Sequence, residues 1–157
     1  MSQYICVDIG GTSIKHGVLD ENAIIKECNQ TKTEAWLGGA AVLDKVKTIG
    51  KQYKEQYENI EGICISTAGM VDPEEGKIVF AGELMPGYTG TCIKKELEKA
   101  LEMPCEVEND VNCAGLAEYV SGSAKESHIM FCATVGTGIG GCAIVNGRVF
   151  HGASNSA

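Results

Sequence analysis

Arginine is almost missing from this chain: Arg148 is the only one in 157 residues. Arginine is the usual bidentate reader of phosphate and guanine. Its scarcity, with a formal net charge of −8, argues against a nucleic-acid partner. Long apolar runs are lacking as well. None approaches the length of a membrane span, and Met1-Ser2-Gln3-Tyr4 has neither the charged nor the apolar region of a signal peptide. The expected compartment is the cytoplasm, with no membrane partner. Among the eight cysteines there is no Cys-x-x-Cys pair, and Cys6, Cys64, Cys132 and Cys142 fall within apolar strand patterns. They read as buried free thiols rather than as disulfides or zinc ligands. His16, His128 and His151 lack metal-ligand spacing and are given no role.

Glycine, by contrast, is abundant. It supplies 20 of the 157 residues, where an average chain has about 7%. Much of the excess sits in two similar segments, Asp8-Ile9-Gly10-Gly11-Thr12 and Thr134-Val135-Gly136-Thr137-Gly138. Each follows a short apolar run, Tyr4 to Val7 and Ile129 to Ala133, and each precedes a second strand-like run, Ile14 to Leu19 and Gly140 to Val145. Asp20-Glu21-Asn22 and Asn146-Gly147 then signal turns, and third strands start at Ala23 and Arg148. Two copies at a domain-sized interval suggest two related units rather than a solenoid. A ligand site between them, clamping ATP, is the expectation.

Between the copies, Val42, Val46, Ile49, Tyr53 and Tyr57 repeat at helical spacing and predict a helix from about Ala35 to Tyr57. Lys45, Lys47, Lys51 and Lys54 fall mainly on its wet side and receive no function. Ile60 to Ile65 reads as a buried strand ending in Ser66-Thr67-Ala68-Gly69. Turns follow at Asp72 to Gly76 and Pro86 to Gly90. Ile93, Leu97 and Leu101 predict a helix that stops before Pro104. A strand at Cys105 to Glu108 then runs through Asn109-Asp110 into a third helix, Val111 to about Val120. That helix is slim at Cys113, Ala114, Gly115 and Ala117. Ser121 to Lys125 looks like a linker, which places domains at 1–121 and 122–157. The order is an α/β domain with a mixed sheet, followed by the first β-hairpin of a second, incomplete domain. It is the order of one actin-like, ribonuclease H-like unit.

Glycines after a strand let backbone N–H groups approach phosphate oxygens. Gly10, Gly11 and Thr12 are therefore candidate phosphate contacts. Asp8 could hold magnesium directly or through water, and Lys15 could neutralise a transferred phosphoryl group. A Gly-Gly hairpin turn is often only a turn; the second copy, at Thr137 and Gly138, is what strengthens the reading. Neither a dinucleotide fingerprint nor a Walker loop fits, because Ser13 to Leu19 is strand-like and no Gly-Lys-Ser or Gly-Lys-Thr occurs. Asp110, near a helix N-terminus whose dipole favours the ionised form, is the candidate general base. Asn109 beside it has both a donor and an acceptor for neighbouring hydroxyls. Either residue could equally be a helix cap.

These segments, with Ser66-Thr67-Ala68-Gly69 and Glu108-Asn109-Asp110-Val111-Asn112-Cys113-Ala114 between the two glycine turns, resemble the ROK family of sugar kinases and sugar-responsive repressors. The resemblance implies an actin-like ATPase fold and transfer of phosphate from Mg·ATP to a hexose or hexoside, usually at the 6-hydroxyl. It implies Asp110 as base, Asn109 as sugar ligand, Gly69 on the sugar-pocket loop, and Gly10 to Thr12 and Thr137-Gly138 as phosphate loops. Leu84-Met85-Pro86-Gly87-Tyr88 departs from the family's Asn-Leu-Pro-Gly-Trp-like stretch, which leaves the sugar open. Family members continue past this point into a Gly-Glu-x-Gly-His segment and often a zinc motif. The resemblance thus implies an N-terminal portion, inactive alone, with any structural zinc in the remainder. An exposed second hairpin would have unpaired edges, which invite self-association. Two rivals stand beside the kinase. A sugar-sensing regulator of the same family usually carries a DNA-binding segment ahead of the first glycine motif, where this chain has seven residues. A sugar-independent actin-like ATPase is the other.

Overall fold

A computed structural model describes residues 1–136 and 138–155. The chain divides into two compact units, Met1–Glu108 and Asn109–Ala157.

In the first unit, five strands form one sheet in the order β3-β2-β1-β4-β7. They are β1 (Gln3–Ile9), β2 (Ser13–Asp20), β3 (Ile25–Lys32), β4 (Ile60–Thr67) and β7 (Cys105–Asn109). β1 runs antiparallel to β2 and parallel to β4, so the sheet is mixed. Side chains alternate across a strand, and β1 turns Ile5, Val7 and Ile9 into the core. Cys6 and Asp8 take the opposite face. β4 matches it with Ile63 and Ile65 inward, which leaves Cys64 and Ser66 as the partners of Cys6 and Asp8.

The core face is covered by α1 (Gly39–Gln56) and α2 (Ile93–Leu101). Val42, Val46, Ile49 and Tyr53 recur on the buried side of α1, and Ile93, Leu97 and Leu101 on that of α2. The two helices approach closely at Gly50, where a Cβ would stand 2.6 Å from Leu101 Cδ1.

Three local features differ from the sequence expectations. The predicted helix from Ala35 is broken: a single 3-10 turn at Ala35–Leu37 ends at Gly38, whose φ of 89° only glycine adopts cheaply, and α1 begins after it. The third strand starts at Ile25 rather than Ala23, because Asp20 Oδ1 accepts from the N–H groups of Asn22 (2.9 Å) and Ile24 (3.0 Å) and prolongs the turn. The turn at Asp72 to Gly76 belongs to a hairpin of β5 (Met70–Asp72) and β6 (Lys77–Phe80) that the sequence pattern did not reveal.

In the second unit, α3 (Asp110–Ser121) lies on a sheet of β8 (Ile129–Val135), β9 (Ile139–Val145) and β10 (Arg148–Val149), ordered β10-β9-β8. The unit begins at Asn109, so α3 and the linker-like Ser121 to Lys125 both lie within it. The physical reason is close packing. A Cβ on Gly115 would sit 2.4 Å from Cys142 Sγ, and one on Gly140 would sit 2.4 Å from Val111 Cγ2. Asn146 and Gly147, at φ 49° and 78°, make the left-handed turn that their dipeptide signals. The sheet face away from α3 carries Ile129, Phe131, Val135 and Ile139, all more than 70% exposed.

The cysteines depart from the buried-thiol expectation. None of the eight is in a disulfide; Cys105 and Cys142 are buried, but Cys64 and Cys28 are exposed and Cys6 and Cys132 lie between. Strand alternation put Cys6 and Cys64 on the face that α1 and α2 do not cover. Among the described residues no group of three or more His, Cys, Asp or Glu could hold a metal.

Candidate functional site

The first glycine turn sits at the C-terminal end of β1. Asp8 is the last residue of β1 on the uncovered face, and its register partners are Lys15 on β2 and Ser66 on β4. Ser66 Oγ donates to Asp8 Oδ1 at 2.8 Å, which orients the carboxylate. Lys15 is exposed on the same face. A cation at Lys15 and an anion at Asp8 thus flank the base of the turn.

The turn is fixed from behind by a residue that sequence reasoning passed over. Thr33 is fully buried. Its Oγ1 donates to the Gly10 carbonyl at 2.6 Å, and its N–H donates to the Thr12 carbonyl at 3.0 Å. Lys45 of α1 in turn donates to the Thr33 carbonyl at 3.0 Å and pairs with Glu34, so this lysine is a brace and not merely part of a wet face. With two carbonyls turned toward Thr33, the turn presents Gly11 and Thr12 to solvent. A Cβ on Gly11 would meet nothing within 4 Å, whereas one on Gly10 would lie 2.9 Å from the Ser13 carbonyl oxygen.

β4 is parallel to β1, and its C-terminal end therefore opens on the same side of the sheet. There Gly69 adopts φ 102°, and a Cβ would stand 2.7 Å from the Phe80 carbonyl oxygen; only glycine fits. Just before it, Thr67 is fully buried and shares a 2.7 Å hydrogen bond with Tyr88 Oη. Burial pushes the Tyr88 phenol up to about 12. The Tyr88 loop is held in turn by the start of α1, where Gly39 N–H donates to the Pro86 carbonyl at 2.8 Å. No periodic signal marks Thr33, Thr67 or Tyr88, since each acts through contacts distant in sequence.

The remaining candidates belong to the second unit. Asn109 caps α3: its Oδ1 accepts from Val111 N–H (2.9 Å) and Asn112 N–H (3.2 Å). Its Nδ2 donates to Asp110 Oδ1 at 3.0 Å, and the same oxygen accepts from Val111 N–H at 3.0 Å. Asn109 thus gives its acceptor to the helix and donates from its amide to orient Asp110. Asp110 is exposed in the first turn, where the helix dipole favours its anion. In the second glycine turn, Gly136 N–H donates to the Gly138 carbonyl at 2.9 Å; Thr137 lies outside the described residues. The structure gathers Asp8, Gly10, Gly11, Thr12 and Lys15 about one turn, with Gly69 at the same strand ends, and pairs Asn109 with Asp110.

A mixed five-stranded sheet with three leading antiparallel strands, helices between the later ones and a glycine turn at the mouth of β1 defines an actin-like ATPase fold. Solved structures bear this out. A ROK family glucokinase from Streptomyces griseus, crystallised in complex with glucose and AMPPNP, superposes with a TM-score of 0.87 at 29% identity, over 99% of this chain and 48% of that one. The ROK family model matches residues 4–157, and the chain belongs to that family. Its relatives include a glucokinase of Halalkalibacterium halodurans, 30% identical over 98% of this chain and 47% of the relative. A β-glucoside kinase of Listeria monocytogenes is 33% identical over 92% of this chain and 47% of the relative. The chain spans about half the length of the curated relatives it matches.

Proposed function

We propose that the protein acts, as a whole, as an ATP-dependent sugar kinase that phosphorylates a hexose or hexoside, at its 6-hydroxyl. The observation that carries this reading is the Asp8–Ser66 pair beside a glycine turn braced by Thr33, in a family whose members include sugar kinases. A hard cation prefers oxygen ligands, and Asp8 offers an oriented carboxylate to magnesium, directly or through water. The open side of Gly11 and Thr12 leaves room for phosphate oxygens against the backbone. The residues present therefore suit Mg·ATP, which would supply the transferable γ-phosphoryl group.

In this reading, Gly10, Gly11, Thr12 and Lys15 position phosphate, with Thr137 and Gly138 doing the same from the second turn. Gly69 lines the sugar pocket. Asn109 orients the sugar through its amide and holds the Asp110 carboxylate, which accepts the hydroxyl proton as that oxygen attacks. Residues 122–157 open the second actin-like domain, and residues 1–157 alone turn over little substrate.

The test is ADP release by the whole protein over a panel of glucose, fructose, mannose, an amino sugar and a β-glucoside. Sugar-dependent release is expected. Release without sugar would identify a plain ATPase. Sugar binding with no release would identify a sensor, and either outcome would end the kinase reading.

A further inference from the structure

The face of the five-stranded sheet opposite α1 and α2 carries an unusual row. Cys28 on β3, Gly17 on β2, Cys6 on β1 and Cys64 on β4 are successive register partners. Cys6 and Cys64 are direct neighbours on parallel strands. Adjacent strands lie about 4.8 Å apart, within the roughly 4.4–6.8 Å between Cα atoms that a disulfide requires. Cys28 stands one strand too far, with Gly17 between. Cys64 is exposed and Cys6 partly so, which gives an oxidant access.

We propose that Cys6 and Cys64 form a hydroperoxide-responsive dithiol that closes reversibly into a disulfide between β1 and β4. The Cys64 thiol is drawn down to about 7 by a hydrogen bond from Cys6, against the opposing effects of partial desolvation of the sulfur and of Glu106. A large share of Cys64 is therefore thiolate near neutrality, which is the nucleophilic form. It attacks one peroxide oxygen: the O–O bond breaks, a Cys64 sulfenic acid forms, and the alkoxide or hydroxide that leaves takes up a proton. Cys6 sulfur then attacks the sulfenic sulfur. The S–S bond forms, the S–O bond breaks, and water departs with the Cys6 proton. Two thiols lose two electrons and one peroxide gains them. A dithiol reductant reverses the step by exchange.

A second register pair, Cys132 and Cys142 on β8 and β9, supplies an internal control. Cys142 is 1% exposed beneath α3, against Gly115, so no oxidant reaches it. The site joins strands at the step directly below the Asp8–Ser66 pair, yet it stands independently of the kinase reading.

The reduced protein would be treated with one equivalent of hydrogen peroxide, alkylated with N-ethylmaleimide and mapped by mass spectrometry of its peptides. A Cys6–Cys64 linked peptide is expected, abolished by dithiothreitol, ahead of any Cys132–Cys142 link. In Cys6→Ala the disulfide is lost and dimedone traps a sulfenic acid on Cys64. Without peroxide, Cys64 alkylation should show a midpoint near pH 7 that rises in Cys6→Ala. At pH 7 it should run about threefold faster than an unperturbed thiol, because the gain in thiolate fraction exceeds the fall in nucleophilicity. Full alkylation of both cysteines after peroxide would overturn the proposal, as would an intermolecular link through Cys28 or a Cys132–Cys142 link forming first.

Discussion

Thr33 Oγ1 donates to the carbonyl of Gly10 across 2.6 Å, from a position with no solvent exposure. The shape of the phosphate-loop-like turn is thus set by a residue beyond the end of β3, not by the glycines alone. Thr33→Val keeps the volume and removes the hydroxyl, leaving the Gly10 carbonyl short of a partner. The cost of a lost buried partner is about 1–3 kcal/mol. Urea unfolding should show that loss, Thr33→Ser should recover most of it, and nucleotide affinity should fall in Thr33→Val alone.

A contrast between Asn109 and Asp110 separates structure from chemistry. Asn109→Ala removes the cap of α3 and should cost about 0.5–2 kcal/mol of stability. Asp110→Asn should leave the unfolding midpoint nearly unchanged but lower sugar phosphorylation by the whole protein about 10²–10⁴-fold. Unchanged turnover in Asp110→Asn would remove it as the base.

Tyr88 gives a pH signature. Its folded-state value, raised to about 12 by burial, exceeds the ordinary value near 10. The neutral phenol is the form that the fold favours. Its contribution to stability is complete below about pH 10 and is lost as pH rises toward about 12. Tyr88→Phe should flatten the stability curve in that window and remove one late phase from the tyrosinate absorbance titration.

Gly39 is expected to resist substitution even though it sits at the start of a helix, where alanine has the better propensity. A Cβ there would lie 2.8 Å from Tyr88 Cα and 3.0 Å from the Gly87 carbonyl oxygen. Because the clash is with backbone, the loop itself must shift. Gly39→Ala should cost about 1–3 kcal/mol, read from the thermal or urea midpoint, while Ala40→Ser should not.

The parts legible in the sequence were those encoded by neighbours along the chain. Short apolar, strand-like runs marked β1, β2 and β4, helical spacing marked α2, and Asn146-Gly147 marked its left-handed turn. The glycine turn after Asp8 was visible for the same reason. Thr33, Thr67 and Tyr88 were not, because their partners lie across the fold. Cys64 was misjudged because an apolar run does not say whether both faces of its strand are covered. The hairpin of β5 and β6 was hidden by its brevity, with three residues in one strand and four in the other.

β1 also constrains the length of chain at this point. Ile5, Val7 and Ile9 point one way and Cys6 and Asp8 the other, while both neighbouring strands are locked to them residue by residue. A single inserted residue between Cys6 and Asp8 would turn the carboxylate into the helix-packed layer and expel an apolar side chain. Between Cys6 and Asp8, then, this strand tolerates exchange of side chains better than a change of length.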